Sequence, residues 1–191
     1  MKVILLGDSI RMPETGYGKI VEKVLREKGY DVFQPSDNCR FAKNMLRMLF
    51  DYRSQLVDAD VIHFNVGHWD LCTINSDSTP FSSLDEYKDN LERIAKLLLK
   101  ITPHVIFATT TPVRKENPYQ NNEIVEKYNK AAIEVMNKLG IKINDLYHSI
   151  SDDVDKYILG NGDYIHPTEI GKEILAKQVI KVIEKEMKKG A

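Results

Sequence analysis

Two short segments near opposite ends of the chain carry residue types that can do nucleophilic chemistry together. Val3-Ile4-Leu5-Leu6-Gly7-Asp8-Ser9-Ile10 places a hydroxyl directly after an apolar run. Asp163-Tyr164-Ile165-His166-Pro167 supplies an imidazole with a carboxylate three residues before it. A serine hydroxyl attacks only when a base takes its proton, and that base works best when its other ring nitrogen is held. Ser9, His166 and Asp163 are therefore the candidate nucleophile, base and orienting group. An apolar strand ending at Gly7-Asp8 would put Ser9 just past its carboxyl end, where open α/β sheets bind ligands. Pro167 restrains His166 to extended backbone, so Asp163 can reach Nδ1–H and leave Nε2 free.

Plainer readings stand beside this one. Ser9 could cap the turn after the strand, and Ile10 and Arg11 exclude a G-x-S-x-G elbow. His63 and His104 fall in or beside strands, where a packed ring is expected, and His148 sits in a long connection with no obvious partner. Asp8, Asp70, Asp163, His68 and His166 would make an oxygen and imidazole cluster for a metal, but no H-E-x-x-H-type spacing supports it. Neither a metal nor a cofactor is expected. Arg11, Tyr17, Arg40 and Arg114 lie in loops at the same end, as solvated side chains or substrate contacts. Cys39 reads as a buried or half-buried free thiol.

The elements that would position these residues alternate between short apolar runs and longer helical ones, the pattern of a parallel sheet covered on both faces. Strands are expected at Lys2–Leu6, Asp31–Phe33, Val61–Val66, Val105–Thr109 and Ile141–Ile143. Ile20, Val21, Val24 and Leu25 form one helical stripe closed by Gly29. Phe41, Met45, Met48, Leu49 and Tyr52 form a second, with Ser36, Asp37 or Asn38 available to cap it. Ser83-Leu84-Asp85-Glu86 reads as a capping box, and the helix behind it runs toward Pro103. A fourth helix carries Ile124, Tyr128, Ala131, Val135 and Leu139 before Gly140. The last runs from about Thr168 to Lys188, with Ile170, Ile174, Val182 and Ile183 facing inward. Three longer connections, Cys72–Ser82, Thr110–Asn122 and Asp145–Gly162, are natural pocket walls.

The 191 residues suit one domain, 1–191, with a substantial core. With 27 basic and 28 acidic residues the net charge is −1, so nothing draws the chain globally toward nucleic acid or an anionic membrane. Lys181, Lys185, Lys188 and Lys189 read as a solvated last helical turn. The two cysteines, Cys39 and Cys72, are too few for a disulfide framework. The opening apolar run ends at Gly7-Asp8 without a cleavage site, and no later stretch approaches membrane-spanning length. A cytoplasmic protein is expected, with a small molecule as partner; the oligomeric state is not legible.

Gly7-Asp8-Ser9, Gly67-His68-Trp69-Asp70 and Asp163-x-x-His166-Pro167 together resemble the SGNH (GDSL-type) hydrolases, in that family's order and over essentially the whole chain. The resemblance implies a flavodoxin-like three-layer α/β/α fold with strand order 2-1-3-4-5. It implies hydrolysis of a carboxylic ester through an acyl-Ser9, with His166 as base and Asp163 as its orienter. Two of the family's blocks are altered. Trp69 stands where an oxyanion-binding asparagine is usual, and Asp37-Asn38-Cys39-Arg40-Phe41 lacks the usual glycine. The hole would be rebuilt from the Ser9 and Cys39 N–H groups with Asn38 or Trp69. Asp8, Arg40, Gly67, His68 and Asp70 are the pocket candidates. A short acyl group on a carbohydrate or similar polar alcohol is the expected substrate. The alternatives are a lipase or thioesterase, or a binding protein with a defective oxyanion hole. A phosphoacceptor receiver shares the strand order, with Asp8 and Thr109–Thr111 echoing its layout. Asn65-Val66-Gly67 and Asn144-Asp145 lack the carboxylate and lysine that it needs.

Overall fold

The computed structural model describes residues 1–188. Along the chain come β1 (Lys2–Gly7), α1 (Gly18–Glu27), β2 (Asp31–Phe33), α2 (Ala42–Asp51) and α3 (Arg53–Leu56). Then follow β3 (Val61–Asn65), α4 (Leu84–Leu99), β4 (Val105–Ala108) and α5 (Asn122–Lys138). The chain continues through β5 (Lys142–Asn144), α6 (Tyr147–Ile150), α7 (Val154–Tyr157) and α8 (Glu169–Met187). The strands pair in parallel in the order β2-β1-β3-β4-β5. Gly7 thereby aligns with Asn65, and Asn65 with Ala108, so the segments after β1, β3 and β4 emerge side by side.

Because strand side chains alternate, the continuous apolar runs must be covered twice. Ile4, Leu6, Ile62, Phe64, Val105 and Phe107 meet Met45, Leu49, Leu91, Ile94, Leu98 and Val135 from α2, α4 and α5. Val3, Leu5, Val61, Ile106 and Ala108 face the other way, onto Val21 and Leu25 of α1 and Leu175, Val179 and Ile183 of α8. At roughly 1.5–3 kcal/mol for each large apolar side chain buried, these two layers dominate the stability.

Local signals decide where elements start and stop. Ser83 and Glu86 make the expected capping box at α4. Gly29 and Gly140 take positive φ just past α1 and α5. The cap of α2 differs from expectation: Ser36, Asp37 and Asn38 do not cap it, and Asp70 Oδ2 instead accepts from Ala42 N at 2.9 Å. The connection 145–162 holds the short helices α6 and α7, too brief for a periodic signal. Val66 and Thr109 lie beyond their strands, and β5 begins one residue later than the apolar run suggests. Along α8 the buried face is Gly171, Leu175, Ala176, Val179, Ile183 and Met187. Ile183 lies on this face as expected and Ile174 and Val182 pack half-buried against the core beside it, whereas Ile170 is exposed. The small members of this face, Gly171 and Ala176, let the helix seat closely, which hydrophobicity counting overlooks. Lys181, Lys185 and Lys188 are exposed, while Lys189 lies outside the described residues. No helix among the described residues is long and apolar enough to cross a membrane.

His63 shows what burial inside the sheet demands. It is fully buried in β3, its Nε2 accepts from Asn144 Nδ2 at 3.0 Å, and its ring meets Tyr17 edge-on at 6.0 Å. Desolvation pulls its pKa down to about 3 from 6.5, so the folded protein holds the ring neutral. The stability this confers is complete above pH 6.5 and is lost as pH falls toward 3. Between pH 7 and pH 5 the titration should cost about 2 kcal/mol. His63→Gln keeps an acceptor for Asn144 without titrating. Urea unfolding at the two pH values should therefore show a loss smaller by about that amount in the variant than in the wild type; equal losses would contradict the assignment.

Candidate active site

The turn after β1 is built on a buried carboxylate. Asp8 is 1% exposed, and its Oδ1 accepts from Ile10 N at 3.0 Å and from Asn65 Nδ2 at 2.7 Å. Asn65 Oδ1 accepts in turn from the Tyr17 hydroxyl at 3.0 Å. The chain Tyr17–Asn65–Asp8–Ile10 thus ties the end of β3 to the residues flanking Ser9. A Cβ on Gly7 would fall 2.2 Å from Asn65 Oδ1, so this approach requires glycine. Ser9 itself is half-buried, and its carbonyl accepts from Thr15 Oγ1 at 2.6 Å.

Asp163 holds His166 at two points. One oxygen accepts from His166 N at 2.7 Å and from Ile165 N at 3.0 Å; the other pairs with His166 Nδ1 at 2.8 Å. Burial alone would raise the Asp163 carboxyl, but the hydrogen bonds from His166 and Ile165 outweigh it and hold the group below its ordinary range. An ionised Asp163 must accept from Nδ1, which fixes the ring tautomer and puts the lone pair on Nε2. Nε2 is buried and has no hydrogen-bond partner among the described residues. Ser9 Oγ is accordingly not bonded to it in this state.

Backbone contacts hold the loop in place. Leu159 N donates to His166 O, Thr168 N to Tyr157 O, and Arg114 N to Tyr164 O. The Arg114 guanidinium reaches the Asp155 and Ile158 carbonyls. Arg114 therefore braces this loop rather than standing free at the surface. Past His166, Lys172 of α8 donates through Nζ to Glu14 O at 3.1 Å, joining the two ends of the chain at the loop after Ser9. Asp8 and His166, one from each segment, both lie close enough to the buried His68 ring to influence its protonation.

Other candidates fall into different jobs. His68 is 2% exposed, and burial pushes its pKa down. Its Nδ1 pairs with Gln120 Oε1 and its Nε2 with Thr111 Oγ1, while Gln120 Nε2 donates to His68 O. Both nitrogens are committed, so His68 clamps the β3–α4 and β4–α5 connections together and is closed to substrate. Gly67 is buried against Thr110 Oγ1. Arg11 is fully buried, donating to the carbonyls of Gly7, Pro35 and Asp37, and Tyr17 is buried too; neither is at the surface. Cys39 is buried, its thiol is pushed up by desolvation, and its N–H donates to Gly7 O at 3.1 Å. That backbone donor, expected to face an oxyanion, is already taken. Arg40 N donates to Asn38 Oδ1, which turns the Asn38 NH₂ away from this bond. Arg40 adopts φ 55°, the left-handed conformation that a glycine would take without cost.

Asp70 is buried as well, with Ser82 Oγ on one oxygen and Ala42 N on the other; burial raises its pKa to about 6. Asp8 through Oδ1 and Asp70 through both carboxylate oxygens therefore hold loops. Among the described residues no three His, Cys, Asp or Glu side chains are grouped to hold a metal. His148 pairs with Asp145 at 2.7 Å, a partner not anticipated although it stands at the same three-residue spacing as Asp163 from His166. The residues not anticipated are Asn65, Thr111, Gln120 and Phe81. Asn65 alone left a signal, as a polar residue closing a largely apolar strand.

With this geometry in view, the relationships of the chain are informative. Residues 5–174 match the model of the GDSL-like lipase/acylhydrolase family. The GDSL esterase/lipase CPRD49 of Arabidopsis thaliana is 23% identical, over 96% of this chain and 78% of that protein. A lipase/acylhydrolase from Enterococcus faecalis superimposes with a TM-score of 0.80 at 18% identity, over 96% of this chain and 95% of that one. The acetylxylan esterase Axe2 from Geobacillus stearothermophilus gives 0.72 at 16%, over 95% and 93%. The chain belongs to the GDSL-like lipase/acylhydrolase family, the SGNH-type hydrolases of carboxylic ester bonds.

Proposed function

We propose that this protein is a serine esterase that removes a short acyl group from a carbohydrate or other polar alcohol, through an acyl-Ser9 intermediate. The observation that carries the reading is the state of His166: Nδ1 engaged by Asp163, Nε2 buried and unpartnered. A base prepared in this way has one open nitrogen and one direction in which to use it. Axe2 supports the assignment, since its catalytic mutants replace a serine, an aspartate and a histidine, the last two spaced like Asp163 and His166.

In the first half-reaction His166 Nε2 takes the Ser9 proton as Oγ adds to the ester carbonyl carbon. The tetrahedral oxyanion collapses, the alcohol leaves with the proton from Nε2, and the acyl group remains on Ser9. Water then gives its proton to Nε2, attacks the acyl carbon and releases the acid while Ser9 is reprotonated. With Cys39 N–H occupied, the oxyanion is received by Ser9 N–H and the Asn38 side-chain amide. Trp69 is assigned a different role below.

A long acyl chain has no obvious berth near Ser9. The apolar groove lined by Leu46, Leu49, Leu56, Leu97 and Ile101 lies at the opposite end of the strands, where Lys2 Nζ donates to Val57 O. The chain 1–191 is read as one catalytic domain, and the buried free thiols Cys39 and Cys72 favour a reducing, cytoplasmic setting. The occupied Cys39 N–H also favours a second reading, a binding protein whose oxyanion hole is too weak for turnover.

A fluorophosphonate should label the wild-type chain at Ser9 and nowhere else. Ser9→Ala should lose the label and at least about four orders of magnitude in p-nitrophenyl acetate hydrolysis. A label on another residue would overturn the mechanism, and a wild-type rate no higher than that of Ser9→Ala would establish the binding-protein reading. Asp163→Asn keeps the shape of the loop but frees the ring tautomer. Its kcat should fall by about three to four orders of magnitude, measured with folding checked by circular dichroism. A loss under tenfold would remove Asp163 from the mechanism.

A further inference from the structure

Three aromatic side chains gather on the connections that follow β2 and β3, and their positions along the chain share one cause. Asp70 Oδ2 accepts from Ala42 N, Asp70 Oδ1 accepts from Ser82 Oγ, and Asp70 O accepts from Ser82 N at 2.9 Å. The residues immediately before Ala42, Asp70 and Ser82 are Phe41, Trp69 and Phe81. Tying the three segments to one buried carboxylate therefore brings the three rings together. Phe41 and Phe81 stand 5.2 Å apart, Trp69 and Phe81 5.9 Å, and Phe41 and Trp69 6.0 Å, all tilted or edge-on.

This cluster is not core. Phe81 is 40% exposed, and Phe41 and Trp69 are half-buried. Its segment is tied to the turn that carries Ser9 through Cys39, two residues before Phe41, which donates to Gly7 O. A shallow cavity of about 460 Å³ opens along it, bounded by Arg40, Phe41, Lys43, Asn44, Phe81 and Ser82. Aromatic faces bordered by amide, guanidinium and ammonium donors suit a ligand with an apolar C–H face and a rim of hydroxyls. A fatty acyl chain would make no use of those donors.

We infer that Phe41, Trp69 and Phe81, collected by Asp70, form the subsite for the alcohol side of the substrate, and that its occupant is a sugar ring. The inference rests on the esterase reading above and extends it to the leaving group. It also accounts for the tryptophan at the family's asparagine position: the indole serves as a binding surface rather than as an oxyanion donor.

Trp69 is the single tryptophan of the chain, so its emission reports on this place alone. The full-length Ser9→Ala protein would be titrated with tetrasaccharides of xylose, glucose and N-acetylglucosamine. At least one should give a saturable change in emission, and adding Phe81→Ala should weaken that binding by about fivefold or more. In the Ser9-containing enzyme, Phe81→Ala should raise KM for the acetylated saccharide more than it lowers kcat. The ratio of kcat/KM for that substrate to kcat/KM for p-nitrophenyl acetate should fall by a similar factor. Phe50→Ala, an exposed ring outside the site, should leave the ratio unchanged. No saturable change with any tetrasaccharide, or a Phe81→Ala loss that grows with acyl length instead, would overturn the proposal. Failure of Ser9 labelling would count against the esterase reading separately, because saccharide binding is read on Trp69 without turnover.

Discussion

Asp163 accepts three hydrogen bonds in a loop without regular structure, and two of them come from the same histidine. The carboxylate is only about one-third exposed, so its charge must be met from within the protein. The contact with His166 N sets the backbone, and the contact with Nδ1 sets the ring. A histidine held at only one of these points would keep a free rotation. Held at both, it offers a single lone pair in a single direction, and that lone pair is buried away from water. The remaining structure can be read as the means of fixing the loops around that histidine.

The means are other buried polar groups at the carboxyl ends of the strands. Asp8 binds the turn after β1 to Asn65, Asp70 binds the start of α2 to the segment before α4, and His68 binds the β3–α4 connection to the β4–α5 connection. Arg11 draws the β2–α2 loop against Gly7. Each of these groups would cost on the order of 1–3 kcal/mol if left unpaired where it is buried. Each therefore works against movement of the loop it holds, and together they fix the loops at this end of the sheet. Conspicuous polar residues at the carboxyl ends of the strands are mostly framework, and the aromatics on the segments tied to Asp70 stay partly exposed.

Burial raises the pKa of Asp70 and lowers that of His63 and His68, because in each case it disfavours the charged form. Asp163 alone among these groups goes against burial, since its hydrogen-bond donors outnumber what desolvation removes. The contrast separates a carboxylate that must stay charged beside an imidazole from one whose main task is to hold three segments of chain.

Much of the layout was legible in order along the chain. Near-continuous apolar runs in β1, β3 and β4 must be buried on both faces, which dictates a parallel sheet with helices on both sides. Asp163 and His166, three residues apart before a proline, needed only local geometry to meet, so their pairing could be read directly. The capping box at Ser83 and the turns at Gly29 and Gly140 were local in the same way. What the tertiary structure decided was every contact between distant segments. Ser36, Asp37 and Asn38 precede α2, yet Asp70 caps it, because the cap comes from whichever buried carboxylate the fold delivers. Cys39 N–H was a reasonable oxyanion donor until the register of the β2–α2 loop gave it to Gly7. Phe41, Trp69 and Phe81 are 28 and 12 residues apart. Only folding reveals them as one surface, because hydrogen bonds to a single buried carboxylate leave no trace in spacing.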